Sequence, residues 1–150
     1  MTEQAKPASL PPRWFIRLFW VLHRAFYRFT RRGLRRPTPT NWGMLRLHTV
    51  GRKSGAKRVA ILGYYEDGPN VVTMAMNGWG KPEPAWWLNA QANPDVTIDT
   101  VDGPRPAHVR VATPEERPRL WQRWREYDTD LDSWATRRPG ETAVVVIEPR

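Results

Sequence analysis

From Met44 to Glu148 the chain reads as short alternations of apolar and polar residues, broken by glycine, proline and Asp-Gly pairs. Runs of that length and punctuation become strands joined by tight turns, and they leave room for little besides a small antiparallel sheet. Met44–Val50 (MLRLHTV) predicts a first strand, Gly51–Gly55 (GRKSG) a turn and Lys57–Tyr65 a second strand. Asp67–Gly68 supplies a hairpin turn before a third strand over Asn70–Met76. Asn77–Pro84 (NGWGKPEP) is a Gly/Pro loop, and Ala85–Ala92 a short helix that stops at Asn93–Pro94, where the residue before proline resists the helical conformation. Asp95–Val101 and Arg105–Ala112 form a hairpin around Asp102–Gly103. Thr113, Pro114 and Glu116 combine an N-cap, a proline for the first helical position and a capping-box acid, opening a helix to about Tyr127. A short helical stretch covers Leu131–Thr136, and Thr142–Glu148 (TAVVVIE) is a final buried strand. The expected fold class is α+β and mainly antiparallel β, a small barrel or rolled sheet.

At 150 residues the chain suits one compact domain. It has no cysteine, which excludes disulfides, thiolate metal sites, iron–sulfur clusters and a cysteine nucleophile. No secretory signal is readable at the N-terminus, so the expected location is the cytoplasm or the cytoplasmic face of a membrane. The net charge of +9 is concentrated at one end: residues 1–36 carry nine Lys/Arg against the single acid Glu3. The remainder is nearly neutral, which argues against nucleic acid as a partner, because such binding wants a basic face on the folded body.

Residues 1–12 (MTEQAKPASLPP) read as a disordered leader, and residues 13–36 as a basic amphipathic helix. At helical spacing Arg13, Arg17, Arg24, Arg28, Arg31 and Arg35 fall within an arc of roughly 60°, opposite large apolar residues. Such a helix either lies at an anionic bilayer surface or packs its apolar face on protein. Arg17 and Arg24 interrupt the apolar run, so it is too short to span a membrane.

Two segments could carry chemistry. The GRKSG turn brackets Arg52, Lys53 and Ser54 with glycines, and Arg58 follows on the next strand. Its amides, cations and hydroxyl could hold a phosphate; otherwise it is a hairpin with solvated charges. The spacing is not that of a P-loop. In Ala85–Asn89 (AWWLN), adjacent tryptophans face different sides of a helix, so one can be core while the other lines a pocket. His23, His48 and His108 have no metal-ligand spacing, and no metal is expected. Asp128, Asp130 and Asp132 alternate in what reads as a solvated turn.

Leu47–Gly55 (LHTVGRKSG), Arg58–Val59, Tyr64, Asp67–Gly68, AWWLN and Asn93–Pro94 follow one another at particular distances, with a TPEER helix start and a closing VVVIEP strand. In that order they resemble the deazaflavin (coenzyme F420)-dependent nitroreductase and quinone reductase family of actinobacterial split β-barrel oxidoreductases. The resemblance covers residues 40–149, and it implies a split β-barrel domain over 40–150 of the flavin-reductase-like, pyridoxamine-oxidase-like kind. It implies coenzyme F420 as hydride carrier, with Arg52, Lys53 and Ser54 on its phosphate. Arg58, Val59, Ala60, Ile61, Leu62 and Gly63 would line the deazaflavin, Met74, Ala75, Met76 and Asn77 would contact the ring edge, and Ala85, Trp86, Trp87, Leu88 and Asn89 would close over it. Relatives often carry lysine at Asn77, proline at Ile61 and, in some, tyrosine at Gly63.

The implied reaction is hydride transfer from the reduced coenzyme to a menaquinone-like quinone or a nitro-aromatic acceptor. Tyr127 is a candidate proton donor or substrate contact. The alternative is a non-catalytic split barrel that holds the coenzyme, a flavin or a lipid. The basic N-terminus resembles that of members which associate peripherally with the cytoplasmic membrane, and barrels of this kind often dimerise, so a homodimer is among the expected assemblies.

Overall fold

The computed structural model describes residues 14–19, 21–22 and 33–150. The chain divides into two units, Met1–Gly33 and Leu34–Arg150. In the first, residues 14–19 and 21–22 are helical, with Trp14, Phe15, Leu18, Phe19, Val21 and Leu22 all exposed. No described helix is long and apolar enough to cross a membrane. The leader over 1–12 and the rest of the expected helix up to Arg32 lie outside the described residues. The helix expected over 13–36 ends earlier than predicted: Gly33 takes φ +93, and Arg35 forms an antiparallel bridge with Met44. Extended backbone at Arg35 is incompatible with a continuing helix.

The second unit is a closed six-stranded barrel. Its strands are β1 (Gly43–Val50), β2 (Lys57–Asp67), β3 (Asn70–Met74), β4 (Asp95–Thr100), β5 (Gly103–Val111) and β6 (Val144–Pro149). The order around the barrel is β1-β2-β3-β6-β5-β4, and every neighbouring pair is antiparallel. Three helices accompany it: α1 (Ala85–Ala92), α2 (Arg117–Tyr127) and α3 (Leu131–Ala135). All six predicted strands are present, with small shifts at their ends. The β2–β3 turn is Gly68-Pro69 between paired Asp67 and Asn70, and Gly68 has the φ of +59 that a primed hairpin turn needs. β5 begins at Gly103, which pairs with Thr100, so Val101 belongs to the turn. β3 ends at Met74, not Met76.

Two apolar layers share the sheet. Inside, Leu45, Leu47, Leu62, Tyr64, Ile98 and Ile147 meet Trp87 and Ala90 of α1, which closes one part of the barrel core. Outside, Tyr65, Val72, Met74, Val144 and Val146 are covered by Leu120 and Trp124 of α2 and Leu131 of α3. β3 and β6 are therefore buried on both faces. That is why VVVI is a continuous apolar run: with water on neither side, alternation has no purpose.

The capping box forms as read. Thr113 N–H donates to Glu116 Oε2 at 2.9 Å and Glu116 N–H to Thr113 Oγ1 at 3.2 Å. The regular helix begins at Arg117, three residues after the predicted first helical position at Pro114, because residues 114–116 form a turn.

Candidate functional site

The barrel is forked between β2 and β3. Lys57–Tyr64 pair only with β1, whereas β2 meets β3 only at Tyr65, Glu66 and Asp67. Continuing that register would set Gly63 opposite Met74 and Ile61 opposite Met76, but the ladder stops at Tyr65 and Val72. At the head of the fork the Thr73 hydroxyl donates to the Gly63 carbonyl at 2.7 Å. Below it, one edge of β2 over Val59–Gly63 has no strand across from it among the described residues. Val59, Ala60 and Gly63 are half-buried and Ile61 is 54% exposed. An apolar strand with an open edge offers a flat, partly dry surface and unused backbone donors and acceptors, which suits a planar heterocycle.

The second wall of the fork is Met74–Asn77. Met74 and Ala75 are buried, Met76 is half-buried and Asn77 is exposed. Here the chain turns in an unusual way: Asn77, Gly78 and Trp79 have φ of +48, +58 and +65. Left-handed backbone costs a bulky residue roughly 1–2 kcal/mol, so such a turn needs external support. Part comes from within, through Asn77 Nδ2–H to the Pro82 carbonyl at 2.9 Å and Gly80 N–H to the Asn77 carbonyl at 3.0 Å.

At the end of β1 the GRKSG turn closes on itself. Gly55 N–H donates to the Gly51 carbonyl and Gly51 N–H to the Ala56 carbonyl, both at 2.8 Å. Gly55 sits at φ +69. A Cβ on Gly51 would lie 2.7 Å from Ser54 Oγ, so glycine there lets Ser54 fold over the turn, where its oxygen accepts from Ala56 N–H at 3.2 Å. The anion cradle is narrower than the sequence suggested. Arg52 N–H is taken by the Asn89 side chain at 3.1 Å, which leaves the amides of Lys53 and Ser54 without a partner among the described residues.

Several arginines of the barrel are neutralised, whereas the cations around this turn are not. Arg110, Arg119, Arg125, Arg138 and Arg150 each have a carboxylate partner. Among the described residues Lys53, Lys57 and Arg58 have none, and all three are exposed. Unneutralised cations beside two free amides have the chemistry that suits an anion.

α1 brings the AWWLN residues to the same end of β1 and β2. Trp87 is core at 6% exposure and Trp86 is half-buried, tilted against it with ring centroids 6.0 Å apart. Ala85 is exposed and Leu88 half-buried. Asn89 has a structural contact of its own. It is buried, and its Oδ1 accepts from both the amide and Nη1 of Arg52. It therefore positions the turn, and only the fold could bring two residues so distant in sequence together.

Tyr127 stands apart from this group. Its hydroxyl accepts from Arg123 Nη2 at 2.9 Å and donates to the Thr38 carbonyl at 3.1 Å. Its ring packs among Trp42, Tyr65 and Trp124. Nearby, Tyr65–Asp67 and α2 enclose a hollow of about 270 Å³, where Asp67 pairs with Arg119 at 2.6 Å and Glu126 with Arg123. Hydrogen bonding to Arg119 holds the Asp67 carboxyl below its ordinary pKa. The cations of this hollow are already neutralised. Gly63 is also explained: its missing Cβ would stand 3.0 Å from the Trp42 ring, so Trp42 occupies the space a larger residue would need.

The alternating acids are structural. Asp128 accepts from Asp130 N–H, and Asp132 accepts from Trp121 Nε1 and Arg125. His108 pairs with Asp95 at 3.0 Å, and the described residues contain no cluster of metal-ligating side chains.

One residue had no signal in the sequence. The Arg138 side chain is 3% exposed and its guanidinium reaches the Ala75 and Gly80 carbonyls at 2.5 and 3.1 Å. Its neighbour Arg137 is exposed and stacks over Trp134. Nothing in the local pattern separates the two.

Comparison with known proteins places these features in context. The family described as F420H(2)-dependent quinone reductase matches residues 21–149. A Mycobacterium tuberculosis (strain H37Rv) protein, provisionally named an F420H(2)-dependent quinone reductase, is 36% identical over 118 residues, spanning 79% of this chain and 96% of that one. A second protein of the same strain, named an F420H(2)-dependent quinone reductase, is 34% identical over 105 residues, 67% of this chain and 69% of its own. A solved F420-H2 dependent reductase superposes with a TM-score of 0.62 at 27% identity, covering 70% of this chain and 93% of that structure.

Proposed function

The chain belongs to the F420H(2)-dependent quinone reductase family, and from that membership we propose that it transfers a hydride from reduced coenzyme F420, bound in the β2–β3 fork, to a menaquinone-like quinone. The chain is an F420-dependent oxidoreductase of split-barrel fold, and its coenzyme is F420. The observation that carries the placement is the open edge of β2 beside cations that no carboxylate neutralises. F420 is a planar deazaflavin with an anionic tail, so its two ends ask for two such surfaces.

When bound, the reduced coenzyme supplies the hydride. The chain's part is to bind and orient. The free amides of Lys53 and Ser54, with the Lys53 and Arg58 side chains, hold the phosphate end. Arg52 supports the turn and adds its charge. Val59–Gly63 and Met74–Asn77 flank the ring and exclude water from its faces. Backbone amides along the open edge of β2 would hydrogen-bond the ring's polar edge and so orient it. No side chain of the fork is a built proton donor, which leaves protonation of the product to water.

The exposed residues Trp14, Phe15, Leu18, Phe19, Val21 and Leu22, in a stretch rich in arginine, support attachment to an anionic membrane surface, where a lipid quinone resides. Deletion of residues 1–35 is expected to abolish co-sedimentation with vesicles of anionic lipid; unchanged co-sedimentation removes this part of the proposal.

The function is tested in one cuvette. Purified protein, reduced F420 and menadione are mixed and coenzyme oxidation is followed. Turnover supports the reductase reading, and a nitro-aromatic acceptor in a parallel reaction decides between acceptor classes. Tight coenzyme binding with no oxidation by any acceptor would instead make the chain a coenzyme carrier.

A further inference from the structure

We propose, on the reading that the fork holds the coenzyme, that Arg138 is a positioning residue: it clamps the strained Asn77–Trp79 turn and so sets the second wall of the fork. Its guanidinium is shared among partners at both ends of one loop. Nη1 donates to the Ala75 carbonyl at 2.5 Å and to Thr142 Oγ1 at 3.3 Å. Nε donates to the Gly80 carbonyl at 3.1 Å, and Nη2 to Glu83 Oε1 at 3.0 Å. Two of its backbone anchors in the loop, Ala75 and Gly80, bracket the three residues at positive φ. Thr142, which precedes β6, ties the same guanidinium to the barrel.

The chemistry explains why arginine stands here. Three carbonyls (Ala75, Gly80 and Pro82), a hydroxyl and a carboxylate lie in different directions around one planar group, and only a guanidinium presents donors in a fixed fork to reach them together. A buried cation also needs compensation, and Glu83 supplies it from the far end of the loop. The pair therefore fixes both the shape of the Ala75–Glu83 segment and its distance from the barrel wall. Left-handed backbone at Asn77 and Trp79 persists only where the surroundings over-determine it; Trp79 packs against the outer core layer, and Arg138 holds the chain at Ala75 and Gly80 on either side of the turn. Release of the clamp lets the turn relax to ordinary dihedrals, which moves Met76 and Asn77 relative to Ile61 and Gly63.

The test combines two measurements on the full chain. Amide hydrogen exchange over residues 76–84 of the coenzyme-free protein reads the loop, and titration with oxidised F420 reads the site. Arg138→Met is expected to speed exchange across 76–84 and to weaken F420 binding at least tenfold. Arg138→Lys is expected to recover part of both, and Arg137→Met to change neither. Exchange unchanged in Arg138→Met, or faster exchange with affinity within twofold of the parent, overturns the proposal. If Arg138→Met does not fold, Glu83→Ala decides, since Glu83 is exposed. A loss of affinity of about threefold or more with faster loop exchange upholds the clamp, and parental values for either overturn it. Failure of the parent chain to bind F420 counts against the coenzyme reading itself and is visible before any variant is made.

Discussion

Arg52 and Asn89, 37 positions apart, are joined by two hydrogen bonds to one oxygen: the Arg52 amide at 3.1 Å and its Nη1 at 3.3 Å both donate to Asn89 Oδ1. The contact ties the cationic turn after β1 to the helix that follows the fork, so two segments that would meet one coenzyme are held in a common frame. Asn89→Ala removes a buried acceptor and leaves the Arg52 amide unpaired. A cost of about 1–3 kcal/mol is expected in urea unfolding, together with weaker F420 binding, because the turn loses its register with α1.

Lys53 has an exposed side chain and, among the described residues, no carboxylate partner and no hydrogen bond. Lys53→Ala is therefore expected to leave stability within about 0.5 kcal/mol of the parent. It should weaken F420 binding by about 1.5–3 kcal/mol, the contribution of a charge-assisted contact. Titration at two salt concentrations checks the cause, because the loss should shrink as salt rises. The double variant Arg52→Ala with Lys53→Ala should lose more affinity and also some stability, since Arg52 is bonded to Asn89.

Tyr127 provides a test of what is structural. Its hydroxyl is occupied by Arg123 and the Thr38 carbonyl. Tyr127→Phe is expected to cost about 1 kcal/mol of stability and to leave the rate of quinone reduction unchanged. A large loss of turnover with normal coenzyme affinity would return Tyr127 to the chemistry as a proton donor.

Glu116 gives a pH dependence with a definite sign. Hydrogen bonds from Arg110 at 2.7 and 2.9 Å, and then from the Thr113 amide, lower its pKa from 4.5 to about 2. A carboxyl depressed by folding adds stability above its unfolded pKa and loses it as pH falls through the folded one. The stability gap between the parent and Glu116→Gln should therefore be constant above about pH 5 and close as pH falls toward 2. Thermal unfolding of both proteins across that range measures it, and carboxylates common to the two cancel.

Most of the barrel was readable along the chain because its determinants are local. Gly68 and Gly103 announce their turns, since each sits at a positive φ that other residues resist. Thr113 and Glu116 are three residues apart and bond to each other. The GRKSG turn was legible for the same reason, with Gly51 and Gly55 marking its ends. The helix over 13–36 was carried too far because the arginine periodicity runs on through Arg35, whereas the bridge to Met44 decides the backbone there.

The chain's order of runs and breaks was enough to predict an antiparallel barrel or rolled sheet and the cationic turn after its first strand. Three things came from the folded molecule alone: the fork between β2 and β3, the capture of Arg52 by Asn89, and the burial of Arg138 where Arg137 beside it stays exposed. Periodicity and turn chemistry depend on residues a few positions apart. Which carbonyls surround a guanidinium, and where a ladder stops, depend on segments that only closure of the barrel brings together.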